Sequence, residues 1–189
     1  VVPLSMFKTS AVRVSSVLGF ALGFALFGTV VYLAIFLQVV QGNSPTSAGL
    51  AVMPMLLLMI GASIIIGRLI SRTGQYKIWP IVGTGVATFG MVLLSSVSPT
   101  STEIFVGLSG GLVGLGLGAV LPVLLIAVQN AVRHADLGAA TSTTTFFRGI
   151  GSTFGTAILG AVWSVQLAAR LQNAVPTWDA KEVISGGQS

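Results

Sequence analysis

The sequence has little charge and no cysteine. Only 7% of its 189 residues are charged and 53% are hydrophobic, whereas a soluble domain usually carries about 25% charged residues. So few charges could not solvate a globular surface, and the composition therefore predicts an integral membrane protein. The absence of cysteine excludes disulfides and thiolate metal sites, and the single histidine excludes a multi-histidine metal site.

Carboxylates are the scarcest charged groups. The chain has four of them: Glu103, Asp136, Asp179 and Glu182. None falls inside a long apolar run, so no pair is placed for acid–base catalysis, and we predict that the protein is not an enzyme. The nine cations are spread along the chain and form no dense basic surface for nucleic acid. We expect no metal, cofactor or nucleic acid among its ligands.

Long stretches without charge predict the membrane spans. The stretch between Arg13 and Arg68 contains 54 uncharged residues, and the next two contain 25 and 29. A span requires about 20 apolar residues, and the turn-forming segment QGNSPTSAG divides the first stretch into two. The sequence therefore predicts an all-α membrane protein with five helices. The predicted spans cover residues 14–40, 50–70, 78–97, 104–131 and 137–169.

The segments outside the spans are expected to differ in character. As one helix, the last span would measure nearly 50 Å at about 1.5 Å per residue, so we expect its threonine-rich start, ATSTTT, to project into water. Residues 1–13 are expected to form a cytoplasmic lead, and residues 171–189 a flexible outer loop. The chain does not begin with Met, and we expect it to be a cut through a longer protein.

The cations predict the orientation of the chain in the membrane. Six of them precede the first span or lie in the turns after the second and fourth: Lys8, Arg13, Arg68, Arg72, Lys77 and Arg133. Only Arg170 and Lys181 fall on the other side. Cytoplasmic loops carry an excess of Lys and Arg, so we expect a cytoplasmic N-terminus and an outer C-terminal tail.

Glycines recur at helical spacing in three of the predicted spans. Gly19 and Gly23 are four residues apart in the first span, as are Gly151 and Gly155 in the fifth. In the fourth span the same spacing relates Gly110, Gly114 and Gly118. Small residues at this spacing let membrane helices pack backbone to backbone, and they also suit surfaces that slide or rock. We expect Gly114→Leu to be disruptive and Gly114→Ala to be mild.

Arg148 is the one charge well inside a predicted span, away from the span ends, and two interpretations remain open. An arginine at mid-bilayer costs roughly 2.5–3.5 kcal/mol on insertion scales. In the first interpretation, residues 149–169 span the membrane alone and Arg148 reaches the inner interface by snorkelling. In the second, Arg148 faces an interior cavity and pairs with a carboxylate or an anionic substrate group, which makes it a candidate residue of a substrate or ion pathway.

The turn GRLISRTGQYK, residues 67–77, resembles the loop motif Gly-x-Leu-x-Asp-Arg-x-Gly-Arg of the major facilitator superfamily. Gly67, Leu69, Arg72 and Gly74 match this motif. Ser71 stands where the motif has Asp, and Gln75 where it has Arg, so the acidic group of the motif is absent. More narrowly, the chain resembles the second half of the fourteen-helix drug:proton antiporters of the EmrB/QacA type. The similar segments are FLQVVQGNSPTSAGLAVMP, GLGLGAVLPVLLIAVQNAV and DLGAATSTTTFFRGIGSTFGTAILGA.

The resemblance implies a fold and a function. It implies five helices of a six-helix half-domain, with the N-terminal half of the transporter and the final helix lying outside this chain. It also implies proton-coupled efflux of small hydrophobic or cationic drugs across the cell membrane by alternating access. The alternative is a truncated membrane protein that no longer transports.

Overall fold

The computed structural model describes residues 10–98 and 101–174 of the chain. Five α-helices account for most of them: α1 (Ser10–Val39), α2 (Pro45–Thr73), α3 (Ile78–Ser95), α4 (Glu103–Ala131) and α5 (Leu137–Ala174). A short 3₁₀ helix, His134–Asp136, leads into α5. No strand occurs in the described ranges, so the predicted all-α class is confirmed for them.

Four of the helices are long and apolar enough to cross a membrane: α1 from Val12 onward, α2, α3 and α4. Large apolar side chains cover their outer faces, with Leu57 65%, Ile81 74% and Ile104 72% exposed. Exposure of this kind is expected of helices surrounded by lipid. By composition α5 falls outside this group, because serine, threonine and arginine lower its hydropathy.

The ends of α2 and α5 differ from the predicted spans. α2 begins at Pro45 rather than residue 50, because proline suits the first turn of a helix and the Ser44 hydroxyl accepts a hydrogen bond from the Ser47 amide at 3.2 Å. α5 continues to Ala174, four residues into the stretch 171–189 that we expected to be a loop. The charge at Arg170 ends an apolar run, but it does not end a helix. The rest of that stretch lies outside the described residues.

α4 is the central helix of the bundle. It packs against α2 on one side and α3 on the other, and α1 contacts both α4 and α5. Within its apolar window 61% of the residues are buried, compared with 28% or less in α1, α2 and α3. Glycine is frequent along α4, and this allows neighbouring backbones to pack closely against it.

Helices two or four apart in the chain run parallel. α4 runs parallel to α2, since Gly107 faces Ala51 and Gly118 faces Met59. It runs antiparallel to α3, since Gly90 faces Val113 whereas Gly83 faces Val120. α5 runs parallel to α1 along successive contacts, which join Gly19 to Thr144, Phe24 to Gly155 and Tyr32 to Gly160. These directions fit helices that cross a membrane alternately.

Side-chain hydrogen bonds join the two turns at one end of the bundle. Asn43 Nδ2 donates to Glu103 Oε1 at 2.9 Å, and Gln41 Nε2 donates to the Ser101 carbonyl at 2.9 Å. These bonds tie the α1–α2 turn to the α3–α4 turn. At the other end, Ile70 and Tyr76 pack in one apolar cluster with Val123 of α4. The turns rich in cations therefore share that end.

Candidate functional site

A polar stripe on α5 lines a cleft in the bundle. Thr141, Thr144, Thr145 and Arg148 follow the spacing i, i+3, i+4, i+7, which places them on one helical face. The cleft has a volume of about 420 Å³, and these four side chains form one of its walls. The stripe brings the charge of Arg148 and three hydroxyl groups to one wall of the cleft.

The opposite wall of this cleft is apolar. It consists of Leu121, Pro122, Leu124, Leu125 and Val128 of α4, with Gly19 of α1 and Ser63 of α2 at its edges. Pro122 lacks an amide hydrogen and cannot donate to the carbonyl four residues earlier in α4. The cleft therefore combines a hydrocarbon surface with hydroxyl groups and a single cation.

Two glycines of α1 set the position of α5. A Cβ on Gly19 would lie 3.2 Å from the Thr144 carbonyl oxygen, and a Cβ on Gly23 would overlap the Arg148 carbonyl oxygen. Any larger residue at position 23 would therefore push the backbone of Arg148 away from α1. The glycine spacing of α1 holds the polar stripe against the bundle.

The contact with Gly23 also fixes the depth of Arg148. Gly23 follows Arg13 by ten residues, which corresponds to about 15 Å along a helix. A hydrocarbon core is roughly 30 Å thick, so the backbone of Arg148 lies close to half that thickness from the level of Arg13. α1 is long and apolar enough to cross a membrane, and in such a crossing the neighbouring part of α5 lies at the same depth.

Arg148 has no acidic partner in the part of the chain that the structure describes. The ion pair found there joins Arg133 Nε to Asp136 Oδ2 at 3.2 Å, in the exposed turn before α5. Glu103 lies at the start of α4, where it binds Asn43. The structure thus places Arg148 in the cleft and the described carboxylates at the two ends of the bundle. A role for Arg148 in a substrate pathway stays a prediction.

The threonines of the cleft were missed as functional candidates, and their surroundings differ in part from what we expected. We expected ATSTTT to project into water. Ser142 and Thr145 are exposed, whereas Thr143 is 1% exposed and Thr144 lies against Gly19. Both hydroxyls donate to carbonyls one turn earlier, at 2.8 Å and 3.1 Å. A hydroxyl that is satisfied by its own helix needs no water. The spacing TxxTTxxR was the signal that could have identified the stripe.

The loop-motif residues form the end of α2 and the turn that follows it. Gly74 has φ 71° and its amide donates to the Ile70 carbonyl, so it terminates the helix in a left-handed conformation that favours glycine. Arg72 lies in the last turn, where its positive charge interacts favourably with the negative end of the helix dipole. Gly67 faces Pro122, and Leu69 is 39% exposed. The Ser71 hydroxyl donates to the Gly67 carbonyl at 3.0 Å.

The glycines predicted to pack helices lie at two different seams. Gly114 faces Met55 of α2 and Gly118 faces Met59, whereas Gly110 faces Leu33 of α1 as well as Met55. Gly151 and Gly155 face the backbones of Phe20 and Phe24 in α1. At Gly114, Gly118 and Gly151 an added Cβ would overlap a carbonyl oxygen of the facing helix. Their contribution to stability stays a prediction.

Comparisons with known proteins agree on one family. The family model described as Major Facilitator Superfamily matches residues 1–156. The chain is 37% identical over 175 residues to an MFS-type transporter of Mycobacterium tuberculosis (strain CDC 1551 / Oshkosh). It is 32% identical over 166 residues to a multidrug transporter protein of Bacillus subtilis (strain 168). It is 31% identical over 177 residues to a tetracycline resistance determinant of Streptomyces rimosus.

These matches cover most of this chain but a smaller part of each relative. They include 93%, 88% and 94% of the chain, and 26%, 30% and 51% of the Mycobacterium, Bacillus and Streptomyces proteins. The chain therefore spans between about a quarter and a half of their lengths. No solved structure gives a significant match to it.

Proposed function

The chain belongs to the major facilitator superfamily, and from this premise we propose that it supplies five membrane helices to a drug exporter. The exporter works by alternating access, in which one half of the protein rocks against the other around a central site. Protons that flow inward supply the driving force. Transport, rather than catalysis, is the activity of this family, and this chain provides part of the second half.

The observation that carries this proposal is the similarity to proteins named for drug export. A multidrug transporter and a tetracycline resistance determinant match nearly the whole chain, and so does a fungal protein named as an efflux pump, with 32% identity over 180 residues. These names support export of small compounds from the cell. The substrates implied by the resemblance are hydrophobic or cationic.

The helices adopt a defined orientation in this proposal. The protein is a multi-pass protein of the cell membrane, with Ser10 near the cytoplasm and α5 as the fifth span. The parallel packing of α5 against α1, from Thr144 to Gly160, supports a crossing by α5. The remaining helices of the transporter come from sequence outside this chain, in keeping with the greater length of the relatives.

Arg148 belongs to the substrate pathway in this proposal. The snorkelling interpretation requires Arg148 to lie at the inner interface. Its contact with Gly23, near the middle of α1, instead supports the interpretation in which Arg148 faces a cavity. An exporter takes its substrate from the cytoplasm, and the cleft extends from Arg148 toward the end of the bundle that carries the cationic turns.

The test of export uses the complete gene product that contains this chain. It is expressed in a bacterial host that lacks its own efflux pumps, and the accumulation of fluorescent drugs and the growth-inhibiting drug concentrations are measured. We expect lower accumulation and higher inhibitory concentrations than in cells with the empty vector. A protonophore should abolish both effects, because it removes the proton gradient.

The outcomes separate export from its alternative. If accumulation stays at the level of the empty vector although the protein is abundant in the membrane, the non-transporting alternative is favoured. If export persists with the protonophore but stops when ATP is depleted, the proton-coupled mechanism is wrong while export remains.

A further inference from the structure

The cleft beside α5 carries one charge, and that charge is positive. Arg148 contributes it, and arginine keeps its charge in proteins. In the described ranges the carboxylates are Glu103 and Asp136, which lie at the two ends of the bundle rather than in the cleft. This part of the chain therefore offers nothing that would attract a cation into the cleft.

The depth of Arg148 favours a transported molecule over a lipid head group as the source of its anionic partner. Phospholipid head groups lie at the membrane surface, whereas Arg148 lies about 15 Å along the helix from the level of Arg13. At this depth, the cleft is the route by which a negative group reaches the guanidinium. A transported molecule meets this requirement, and a lipid head group at its usual depth does not.

The shape and lining of the cleft indicate what such a molecule looks like. A volume of about 420 Å³ falls within the range of small-molecule sites, roughly 300–1,000 Å³. Leu121 and Leu125 present a hydrocarbon wall opposite the stripe. The hydroxyls of Thr141 and Thr145 have no hydrogen-bond partner among the described residues, so they can bind a ligand.

We propose that this cleft binds the acidic group of an amphipathic organic anion, such as a carboxylate, phenolate or enolate. Arg148 binds the anionic oxygens, Thr141 and Thr145 donate further hydrogen bonds, and the apolar part of the ligand lies against α4. The inference rests on the proposed export function, and it replaces the cationic substrate class implied by the resemblance with an acidic one.

The test compares two dyes of similar shape and opposite charge. Fluorescein is an anion at neutral pH, and a cationic rhodamine ester has the same three-ring xanthene system. Binding of each dye to the complete protein in lipid nanodiscs is measured by fluorescence anisotropy. Uptake of each dye into inverted membrane vesicles is measured separately. The variants are Arg148→Gln, Arg148→Lys and, as a charge-matched control, Arg133→Gln, which removes a cation that is 88% exposed in a turn.

The unaltered protein should bind fluorescein more tightly than the rhodamine ester. Arg148→Gln should weaken fluorescein binding about ten- to hundredfold, since it removes a charged hydrogen-bond donor, and should leave rhodamine binding unchanged or improved. Arg148→Lys should fall between these two, because lysine keeps the charge but lacks the planar fork. Arg133→Gln should bind both dyes as the unaltered protein does.

Several results would overturn the inference. One is tighter binding of the rhodamine ester than of fluorescein by the unaltered protein, and this comparison stands even if Arg148→Gln does not fold. Another is an equal loss of binding affinity for both dyes in Arg148→Gln, which would indicate that Arg148 pairs with a carboxylate elsewhere in the transporter. A third is unchanged binding in Arg148→Gln.

The two readouts separate this inference from the proposed function. If fluorescein binds through Arg148 but does not enter vesicles, the export function fails while the anion site stands. If both dyes enter vesicles without any preference for charge, export stands and the anion site is wrong.

Discussion

At the scale of single residues, Gly114 shows how little room separates α4 from α2. A Cβ added at this position would overlap the carbonyl oxygen of Met55, which belongs to the backbone and cannot rotate away. The sequence alone suggested that Gly114→Ala would be mild, because alanine is also small. The structure removes the basis for that expectation, since a single methyl group already requires the two helices to separate.

We therefore expect Gly114→Ala to destabilise the protein by about 1–3 kcal/mol, the usual range for overpacking a tight site. Gly61→Ala in α2 is the matched control, because nothing lies within 4 Å of its added Cβ. That change should be neutral or slightly stabilising, since alanine exceeds glycine in helix propensity by about 1 kcal/mol. The measurement is the apparent Tm of the complete protein in detergent, and equal Tm values for the two variants would contradict the close crossing.

At the scale of helices, the seam between α1 and α5 decides whether α5 crosses the membrane. Composition alone does not place α5 among the spanning helices, whereas α1 is one of them. The two helices run parallel from the Gly19–Thr144 contact to the Gly160–Tyr32 contact. The Tyr32 hydroxyl also donates to the Thr156 carbonyl at 2.6 Å, which joins the same pair of helices.

Paired cysteines test this seam, because the chain has no cysteine of its own. We expect Gly19→Cys with Thr144→Cys, and Gly28→Cys with Leu159→Cys, to form disulfides under mild oxidation. An added Cβ at Gly19 lies 3.4 Å from Thr144 Cγ2, and one at Gly28 lies 2.5 Å from Leu159 Cδ1. Gly19→Cys with Leu159→Cys is the control, and it should stay reduced. Cross-linking of the control pair in place of the other two would show an antiparallel seam.

Charge and hydrophobic length predicted the helices, but they did not predict the cleft. The predicted and observed starts of α3 coincide at Ile78, and those of α4 differ by one residue, because the charged residues Lys77 and Glu103 bound the uncharged stretch between them. The cleft depends on contacts between distant segments, such as Gly23 with Arg148. A span prediction treats each helix alone, so it could not show that Thr143 is buried or at what depth Arg148 lies.

At the scale of the whole molecule, the structure fixes which turns lie at the same end of the bundle. The hydrogen bonds from Gln41 and Asn43 place the α1–α2 and α3–α4 turns at one end of the bundle. The turns on either side of α3 lie at opposite ends, and the turn that contains Lys77 lies at the cationic end. Since both pairs of turns are fixed relative to each other, the proposed orientation applies to the entire bundle, and the excess of cations at one end is its basis.

Single cysteines in the complete protein test this orientation with a membrane-impermeant thiol reagent. After cysteines native to the rest of the protein are replaced, Ser71→Cys and His134→Cys at the cationic end should react only in inverted vesicles. Thr46→Cys and Thr102→Cys at the other end should react only in intact cells, and all four positions are exposed in the structure. Reversal at all four sites would overturn the proposed orientation but leave the bundle intact. A mixed pattern, with Ser71 and His134 on different sides, would contradict the packing of α4 against α2 and α5, because the two turns could then not share one end.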